Sequence, residues 1–391
     1  MTLTATHSTQ GRPVRSLRYD LAERPYLVIW EVTRACGLVC THCRADAVRQ
    51  RNPLELDTAE AHAMLDDIAT FGPPRPVVVL TGGDPLERAD LVGLVAHGTA
   101  AGLSMALSPS VTPLLTRAAL IELRDAGAKA VSLSLDGGTA ATHDGFRGVA
   151  GVFDATLAAA RTVREVGFRL QLNTTVTAGN VRELPQILRF VLELEAALWS
   201  VFLLVPTGRG AGLDSLSPDD VEEVLHWLHD VSDHVAIKTT EAPHYRRYVL
   251  QHGGDPLAGP QARGEPENAG TGTRKDGSPP PAGTPPKRLH RAPLGVTDGK
   301  GVMFVGHLGE IYPAGFLPLL CGRFPQVSVV DTYQKHPTFL ALRDPDRFGG
   351  ICGVCEYHDV CGGSRARAYA VLGDPLGPEP DCVYVPRSKR T

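Results

Sequence analysis

The sequence predicts an α/β fold in which a parallel sheet is followed by a smaller, cysteine-rich region. Six short apolar runs alternate with six stretches of helical periodicity, and this alternation is typical of parallel sheets. Hydrophobic residues make up 43% and charged residues 21% of the 391 positions, which suffices for a sizeable core. Periodicity alone does not distinguish a doubly wound sheet from a barrel.

Each strand is predicted from a short run rich in β-branched and other apolar residues. The predicted strands cover residues 26–32, 77–80, 105–107, 130–135, 169–176 and 198–205. The first helix is predicted from Asp57 and Glu60, which form a capping-box pattern. Its buried face would consist of Ala61, Met64, Leu65 and Ile68. Further helical patterns lie near 88–101, 113–126, 152–166, 181–194 and 217–232.

The chain divides into four predicted parts: a loose arm over 1–24, the sheet over 25–252, an insertion over 253–287 and the cysteine-rich region over 288–391. The insertion contains 8 Gly and 8 Pro, so it is predicted to be disordered. A lid and a tolerated insertion are alternative interpretations of it. In the last part, residues 301–305 and 310–312 predict a β-hairpin and residues 364–372 a helix. The core of this part looks thin, and metal ligation would stabilise it.

Charge and hydropathy exclude several classes of function. The net charge is −4 and the pI is near 6.4, so there is no basic field to hold nucleic acid. No run of about 18 apolar residues could span a membrane. Residues 1–20 contain no apolar stretch typical of a secretory signal, so we expect the protein in the cytoplasm.

The first cysteine group directly follows the first predicted strand, as Cys36-x₃-Cys40-x₂-Cys43. Ligands gather at the carboxyl ends of parallel strands, so this loop is expected on the active face. A [4Fe–4S] cluster normally takes four thiolates, and three would leave one iron open. Zinc bound by three cysteines and His42 is the alternative.

This motif resembles the signature of the radical S-adenosylmethionine (radical SAM) enzymes. The resemblance implies a [4Fe–4S] cluster whose open iron is chelated by the methionyl part of SAM. The reduced cluster would then cleave SAM to a 5′-deoxyadenosyl radical that abstracts hydrogen from a substrate. The resemblance covers about residues 25–215 and implies an open (β/α)₆ partial barrel.

The same resemblance implies roles for residues that follow the other strands. Gly82, Gly83 and Asp84 resemble the motif that holds the methionyl amine, with Asp in place of the commoner Glu. Ser134 and Arg147 would bind the methionyl carboxylate. Asn173 would contact the nucleoside or methionyl part, and Leu204, with Leu203, the adenine. Taken singly, Gly82 and Gly83 could form an ordinary turn, and Ser134 could belong to a turn or cap a helix. Asn173 could hydrogen-bond to a backbone group of the barrel, and Arg147 could form a surface ion pair.

The second cysteine group consists of Cys352, Cys355, Cys361 and Cys382. Four thiolates can hold zinc or an Fe–S cube, and spacing alone leaves both open. The segment from Cys361 to Tyr369 resembles the SPASM extension of cofactor- and peptide-modifying radical enzymes, which implies an auxiliary [4Fe–4S] cluster on these four cysteines. Alanine and serine occupy positions 314 and 364, where the extension commonly has further cysteines, so a second auxiliary cluster is not expected.

Cys321 belongs to neither group, and a buried free thiol is its expected role, with a redox or ligand role as the alternative. The resemblance implies a tetrapyrrole, another small molecule or a ribosomal peptide as substrate, and a reductant such as flavodoxin or ferredoxin. Residues 244–247 either face this substrate or begin a solvated helix. The competing function is a non-catalytic Fe–S or zinc scaffold.

Overall fold

The computed structural model describes residues 19–257 and 293–390. Most of the predicted N-terminal arm and residues 258–287 of the predicted insertion lie outside this described part. Within it, one continuous sheet runs through the molecule, and helices cover its outer face.

The sheet contains seven strands in chain order that are parallel to one another, followed by a C-terminal extension. The parallel strands are β1 (Leu27–Glu31), β2 (Val77–Thr81), β3 (Ser104–Leu107), β4 (Ala130–Ser134), β5 (Arg169–Val176), β6 (Leu198–Leu203) and β7 (Ile237–Thr240). The extension consists of β8 (Thr297–Asp298), β9 (Gly301–Val305), β10 (Glu310–Tyr312) and β11 (Gly322–Arg323).

The strand order is β11-β10-β9-β1-β2-β3-β4-β5-β6-β7, with β8 beside β9. The two edge strands of the described sheet, β11 and β7, do not pair with each other, so the barrel is open. The α/β prediction and the partial barrel are therefore confirmed, and the predicted fifth strand and hairpin have the bounds that the sequence indicated.

The prediction of six strands was incomplete in two respects. Strand β7 was missed because it has four residues, IKTT, and little apolar character. The hairpin assigned to the C-terminal region continues the barrel sheet, since β9 pairs in parallel with β1, placing Leu27 opposite Val302. Such pairing is set by long-range contacts that a local pattern does not encode.

Helices follow most strands and bury one face against the sheet. They are α1 (Thr58–Ala69), α2 (Leu91–Ala100), α3 (Arg117–Asp125), α4 (Ala140–Arg147), α5 (Val152–Val166), α6 (Leu184–Glu193), α7 (Pro218–Val231), α8 (His244–Gln251), α9 (Val329–Lys335), α10 (Pro337–Arg343), α11 (Gly350–Gly353) and α12 (Arg365–Leu372). No helix in the described ranges is long and apolar enough to cross a bilayer.

Helix α1 shows how local sequence determines these elements. Both hydrogen bonds of the capping box between Asp57 and Glu60 are present, and they satisfy backbone N–H groups that a helix start leaves free. The predicted face is the buried one. Helix α4 was not predicted, because its eight residues contain only one large apolar side chain, that of Phe146.

Candidate functional site

The barrel encloses a cavity of about 350 Å³. Side chains at alternating strand positions line it, because successive residues of a strand point to opposite faces. The walls of β1 and β2 are apolar, whereas those of β4 and β5 carry hydroxyl and amide groups. The inward-facing residues are Leu27 and Ile29 on β1, Val79 and Thr81 on β2, Ser132 and Ser134 on β4, Gln171, Asn173 and Thr175 on β5, Phe202 on β6 and Lys238 on β7.

The loop of the first cysteine group closes one side of this cavity, and all three of its thiols line it. Backbone hydrogen bonds hold the loop against the end of α4: Val39 N–H donates to the Arg147 carbonyl (3.2 Å), and Thr41 N–H donates to the Phe146 carbonyl (2.9 Å). The loop is therefore a fixed platform at the carboxyl ends of the strands.

Each sulfur of this group accepts one N–H hydrogen bond. Leu38 N–H donates to Cys36 Sγ (3.3 Å), Arg147 Nη1 to Cys40 Sγ (3.6 Å) and Ala47 N–H to Cys43 Sγ (3.5 Å). Burial raises the pKa of Cys36, so its thiolate form needs a metal or such donors. The donors suit three thiolates bound to a cluster.

His42 does not join these thiols. Its ring lies 4.7 Å from the Phe146 ring, and burial lowers its pKa to about 4. Among the described residues, no three His, Cys, Asp or Glu side chains converge on one metal-ion position. This arrangement disfavours a mononuclear zinc site. It suits a cluster, in which each iron takes one thiolate.

Gly82 and Gly83 also line the cavity, where the loop after β2 passes close to the end of β1. A Cβ atom at Gly82 would lie 2.2 Å from the Thr33 carbonyl oxygen, and one at Gly83 would lie 2.3 Å from the Ala35 carbonyl oxygen. Gly83 N–H donates to Thr33 (2.9 Å). Only glycine permits this approach, so the close backbone packing explains the glycines at both positions without any ligand.

Asp84 has a different orientation from the one that the resemblance implied. Its carboxylate is fully buried, accepts from the Thr112 hydroxyl (2.7 Å) and the Leu86 N–H (3.2 Å), and does not line the cavity. Burial raises its pKa despite these hydrogen bonds. The side chain thus braces the loops after β2 and β3, and the expected contact with a methionyl amine gains no support from its direction.

Ser134, Asn173 and Leu204 all line the cavity. Ser134 and Asn173 are register partners on β4 and β5, so their side chains stand next to each other on the inner face. Gln171 Nε2 donates to Asn173 Oδ1 (2.7 Å), which leaves the Asn173 amide N–H groups free to donate. The structure therefore brings these three predicted residues to one wall.

Arg147 lies behind the cysteine loop and is buried, so the surface ion-pair alternative is wrong. One of its terminal nitrogens bonds to Asp136 and the other to Cys40 Sγ. Burial alone would raise the pKa of Asp136, but the Arg147 guanidinium holds it below its ordinary value. This ion pair ties the cysteine loop to the end of β4.

The second cysteine group forms a separate pocket. The thiols of Cys352, Cys355, Cys361 and Cys382 all line it. Cys352 Sγ accepts from the Glu379 N–H (3.2 Å) and from Arg365 Nη2 (3.9 Å). Burial raises the pKa of the other three thiols, that of Cys382 to about 11. In these three residues burial favours the neutral thiol, and a bound metal group would favour the thiolate instead.

Helix α8 borders this pocket rather than the barrel cavity. His244 is fully buried, and neither of its ring nitrogens has a hydrogen-bond partner in the part of the chain that the structure describes. Arg247 is buried as well and forms a bidentate pair with Glu222 (2.5 and 2.6 Å). Both interpretations of residues 244–247 were wrong: this helix start is neither solvated nor at the barrel cavity. An unpaired imidazole beside four thiols suits a site that a sulfur-rich group fills.

Arg367 connects the cysteine-rich part to the barrel. This buried side chain pairs with Glu379 (3.1 Å) and Asp381 (2.9 Å). It also donates to the backbone carbonyls of Leu203 and Leu204 (both 3.3 Å), where β6 ends. The buried ion pairs of Arg367 therefore connect the four-cysteine pocket to the cavity wall at the end of β6.

Cys321 is buried, and its thiol donates to the Leu319 carbonyl (3.3 Å). Burial raises its pKa to about 11, and it lines neither of the two cysteine-bearing cavities. The thiol is buried as expected, and its role as a free thiol stays a prediction.

Sequence reasoning missed Lys238, Arg209 and Arg367 as site residues. Lys238 lies on the strand that was not predicted, and Arg209 lies in a glycine-rich loop, GRGAG. Arg367 was part of the segment that carried the SPASM resemblance, which was the one available signal, since its short helix α12 has no apolar face and buries Arg365 and Arg367 alike.

Comparisons with known proteins agree with this geometry. A family model described as the Radical SAM superfamily matches residues 30–191. Two curated relatives are 38% identical to this chain, and both are named AdoMet-dependent heme synthase. The alignment with the one from Methanosarcina barkeri covers 94% of this chain and 99% of the relative. The alignment with the one from Oleidesulfovibrio alaskensis covers 93% and 88%.

The crystal structure of Streptococcus suis SuiB bound to S-adenosylmethionine shares the fold, with a TM-score of 0.64 over 94% of this chain and 78% of that chain, at 13% identity. The close relatives are named as synthases, so the alternative of a non-catalytic scaffold is wrong. Together with the family match and the cysteine platform at the mouth of an open parallel barrel, these findings identify the chain as a member of the radical SAM superfamily, an enzyme that uses a [4Fe–4S] cluster and S-adenosylmethionine.

Proposed function

We propose that the protein is a SAM-dependent haem synthase, which modifies the side chains of a tetrapyrrole by radical chemistry. The observation that carries this proposal is the 38% identity to two enzymes of that name over nearly the whole chain. The cavity supports it, since Phe202, Phe304 and Phe316 provide an aromatic wall for a large apolar ring.

In this proposal Cys36, Cys40 and Cys43 hold the cluster that binds SAM. Once bound, the cluster and SAM supply a 5′-deoxyadenosyl radical that abstracts hydrogen. The chain's own residues orient SAM. Arg147 and Ser134 donate to the methionyl carboxylate, the backbone at Gly82 and Gly83 leaves room for the methionyl amine, and Asn173 and Leu204 contact the nucleoside. The role of Asp84 is to brace the surrounding loops.

Cys352, Cys355, Cys361 and Cys382 are proposed to hold an auxiliary [4Fe–4S] cluster in a SPASM-like region over 288–391, after the barrel region over 25–252. Four thiols at one pocket, N–H donors to Cys352 and the unpaired His244 support this assignment. The proposed reductant is a flavodoxin or ferredoxin, and the proposed location is the reducing cytoplasm.

The test is anaerobic turnover. Reconstituted protein with SAM and a reductant is incubated with iron coproporphyrin, whose side chains include propionates, and the products are identified by mass spectrometry. We expect haem and 5′-deoxyadenosine to appear together. Formation of 5′-deoxyadenosine without any change in the porphyrin, together with modification of a ribosomal peptide in a parallel reaction, would contradict the proposal and favour the peptide alternative.

Replacement of Arg147 by lysine tests the SAM site. Lysine keeps the charge near Asp136 but loses the planar guanidinium, whose two terminal nitrogens donate to Asp136 and Cys40 Sγ and, in this proposal, also to the methionyl carboxylate. We expect SAM affinity to fall about tenfold, the order of one hydrogen bond to a charged group, with unchanged iron content. Equilibrium binding of SAM measures this.

The matched control is Arg117→Lys, which changes an exposed ion pair with Glu165 on the outer surface. SAM affinity should be that of the wild type in this variant. Unaltered SAM affinity in Arg147→Lys would remove Arg147 from the binding site and leave it a purely structural ion-pair residue.

A further inference from the structure

The charged side chains that line the barrel cavity are all cationic among the described residues. Four cationic residues, Arg44, Arg147, Arg209 and Lys238, line it, and no Asp or Glu among the described residues does. This contrasts with the chain as a whole, which carries a net charge of −4. A cavity lined with cations alone attracts anionic ligands.

Two of the four cations are already neutralised by carboxylates behind the wall. Arg44 pairs with Glu31 (2.7 Å), and Arg147 pairs with Asp136. Two buried guanidinium nitrogens of Arg209 have no hydrogen-bond partner among residues 19–257 and 293–390, and its backbone N–H donates to the Cys43 carbonyl (3.1 Å). It therefore lies beside the cysteine loop.

Lys238 lies on the other side of the cavity. Register pairs connect Ser134 to Asn173, Asn173 to Ser200 and Ser200 to Lys238, so these residues form one row across four adjacent strands. Neighbouring strands are about 4.8 Å apart, which places Lys238 roughly 14 Å along the sheet from Ser134. Lys238 is thus level with the proposed SAM contacts and three strands away from Ser134.

The surroundings of Lys238 leave its charge uncompensated. Burial and the nearby Arg246 guanidinium together lower its pKa to about 8. The nearest acid is Glu241, whose own pKa is raised well above its ordinary value by burial and by Asp298. No ion pair of Lys238 occurs within the described ranges. The Lys238 side chain is half-buried, so an unpaired ammonium there is costly, and an incoming anion would offset that cost.

We propose that Lys238 binds a carboxylate of the substrate, on the side of the cavity opposite the SAM contacts. The substrate is then a carboxylic acid with a large apolar body, since the adjoining wall includes Phe202 and Phe316, whose rings lie 6.4 Å apart in an edge-to-face arrangement. The choice of a porphyrin as the probe rests on the proposed function; the carboxylate contact rests on the cavity itself.

The test compares coproporphyrin with its methyl ester, which has the same ring and no carboxylates. Both are titrated into cluster-loaded, SAM-bound protein, and binding is followed by porphyrin absorbance. The variants are Lys238→Met, which removes the charge at similar length, Lys238→Arg, which restores it, and Lys335→Met, a matched control at an exposed helix position. Iron content is measured for each.

We expect wild type and Lys335→Met to bind the acid at least about tenfold more tightly than the ester, as one charge-assisted hydrogen bond implies. Lys238→Met should lose this preference while its ester affinity stays the same, and Lys238→Arg should recover most of it. The proposal would be overturned if Lys238→Met kept the preference for the acid, or if it lost affinity equally for the acid and the ester.

The outcomes also separate this inference from the proposed function. Acid-selective binding that depends on Lys238 but yields no haem on turnover would support the carboxylate contact and reject haem synthesis. If neither porphyrin binds, the proposed function fails, and an acidic peptide and its Gln-substituted counterpart replace the two porphyrins. Equal binding of these peptides to wild type and Lys238→Met would then overturn the role of Lys238.

Discussion

Replacing Cys36, Cys40 and Cys43 together by alanine should reduce the iron content of the anaerobic protein from about eight to about four per chain, since each cubane cluster holds four irons. Cleavage of SAM should disappear, because these thiols are the proposed ligands of the cluster that binds it. The remaining irons would be those of the proposed auxiliary cluster in the pocket lined by Cys352, Cys355, Cys361 and Cys382. Iron and zinc analysis with an assay for 5′-deoxyadenosine measures both effects.

The matched control is Cys321→Ala, which removes a buried thiol that lines neither cysteine pocket. It should keep about eight irons and full SAM cleavage. A triple variant that retains all of its iron, or a wild-type protein rich in zinc, would contradict the assignment of two clusters.

Replacing Arg367 by methionine should destabilise the protein by about 3–5 kcal/mol, the usual cost of leaving a buried carboxylate without its partner. Glu379 and Asp381 would both lose the guanidinium, and the carbonyls of Leu203 and Leu204 would lose a donor. Chemical unfolding followed by tryptophan fluorescence measures the effect. Arg117→Met, which breaks an exposed pair, should cost less than about 1 kcal/mol.

The loss of stability in Arg367→Met, relative to the wild type, should depend on pH. Burial alone would raise the pKa of Glu379, but in the wild type Arg367 holds it below the ordinary value. The wild type therefore gains stability from this carboxylate above the ordinary pKa and loses it as pH falls through the lowered one. Without Arg367 the folded-state pKa of Glu379 rises, so the stability difference should narrow in acid. A difference that is constant between neutral and acidic pH would show that Arg367 stabilises by contacts other than this charge.

Much of the barrel could be predicted because its signals are local. The capping box of α1 and the apolar run of β5 each lie within a few residues, and both have the predicted form. Strand β7 and helix α4 escaped prediction because a short element with few apolar residues carries little periodic signal. Their positions are set by neighbours distant in the chain.

In the candidate site, too, some features could be predicted from local sequence and others depend on tertiary contacts. Cys36, Cys40 and Cys43 are close in sequence, so their spacing alone indicated a metal group. The direction of a side chain has no such signal: the carboxylate of Asp84 turns to Thr112, away from the cavity, because a hydroxyl and backbone N–H groups lie there in the fold. Arg147 could be read as a surface residue until α4 placed it behind Cys40.

The sequence by itself determined the first six strands and the helices with clear periodicity, the two cysteine groups and the radical SAM resemblance, because each depends on residues close together in the chain. Only the tertiary structure decided that β9 joins β1, that Arg367 links the four-cysteine pocket to β6, and that Lys238 faces the cavity without a counterion. These facts depend on which distant segments meet. Burial then sets the energetic consequence, because charges withdrawn from water must find partners in the fold or in a ligand.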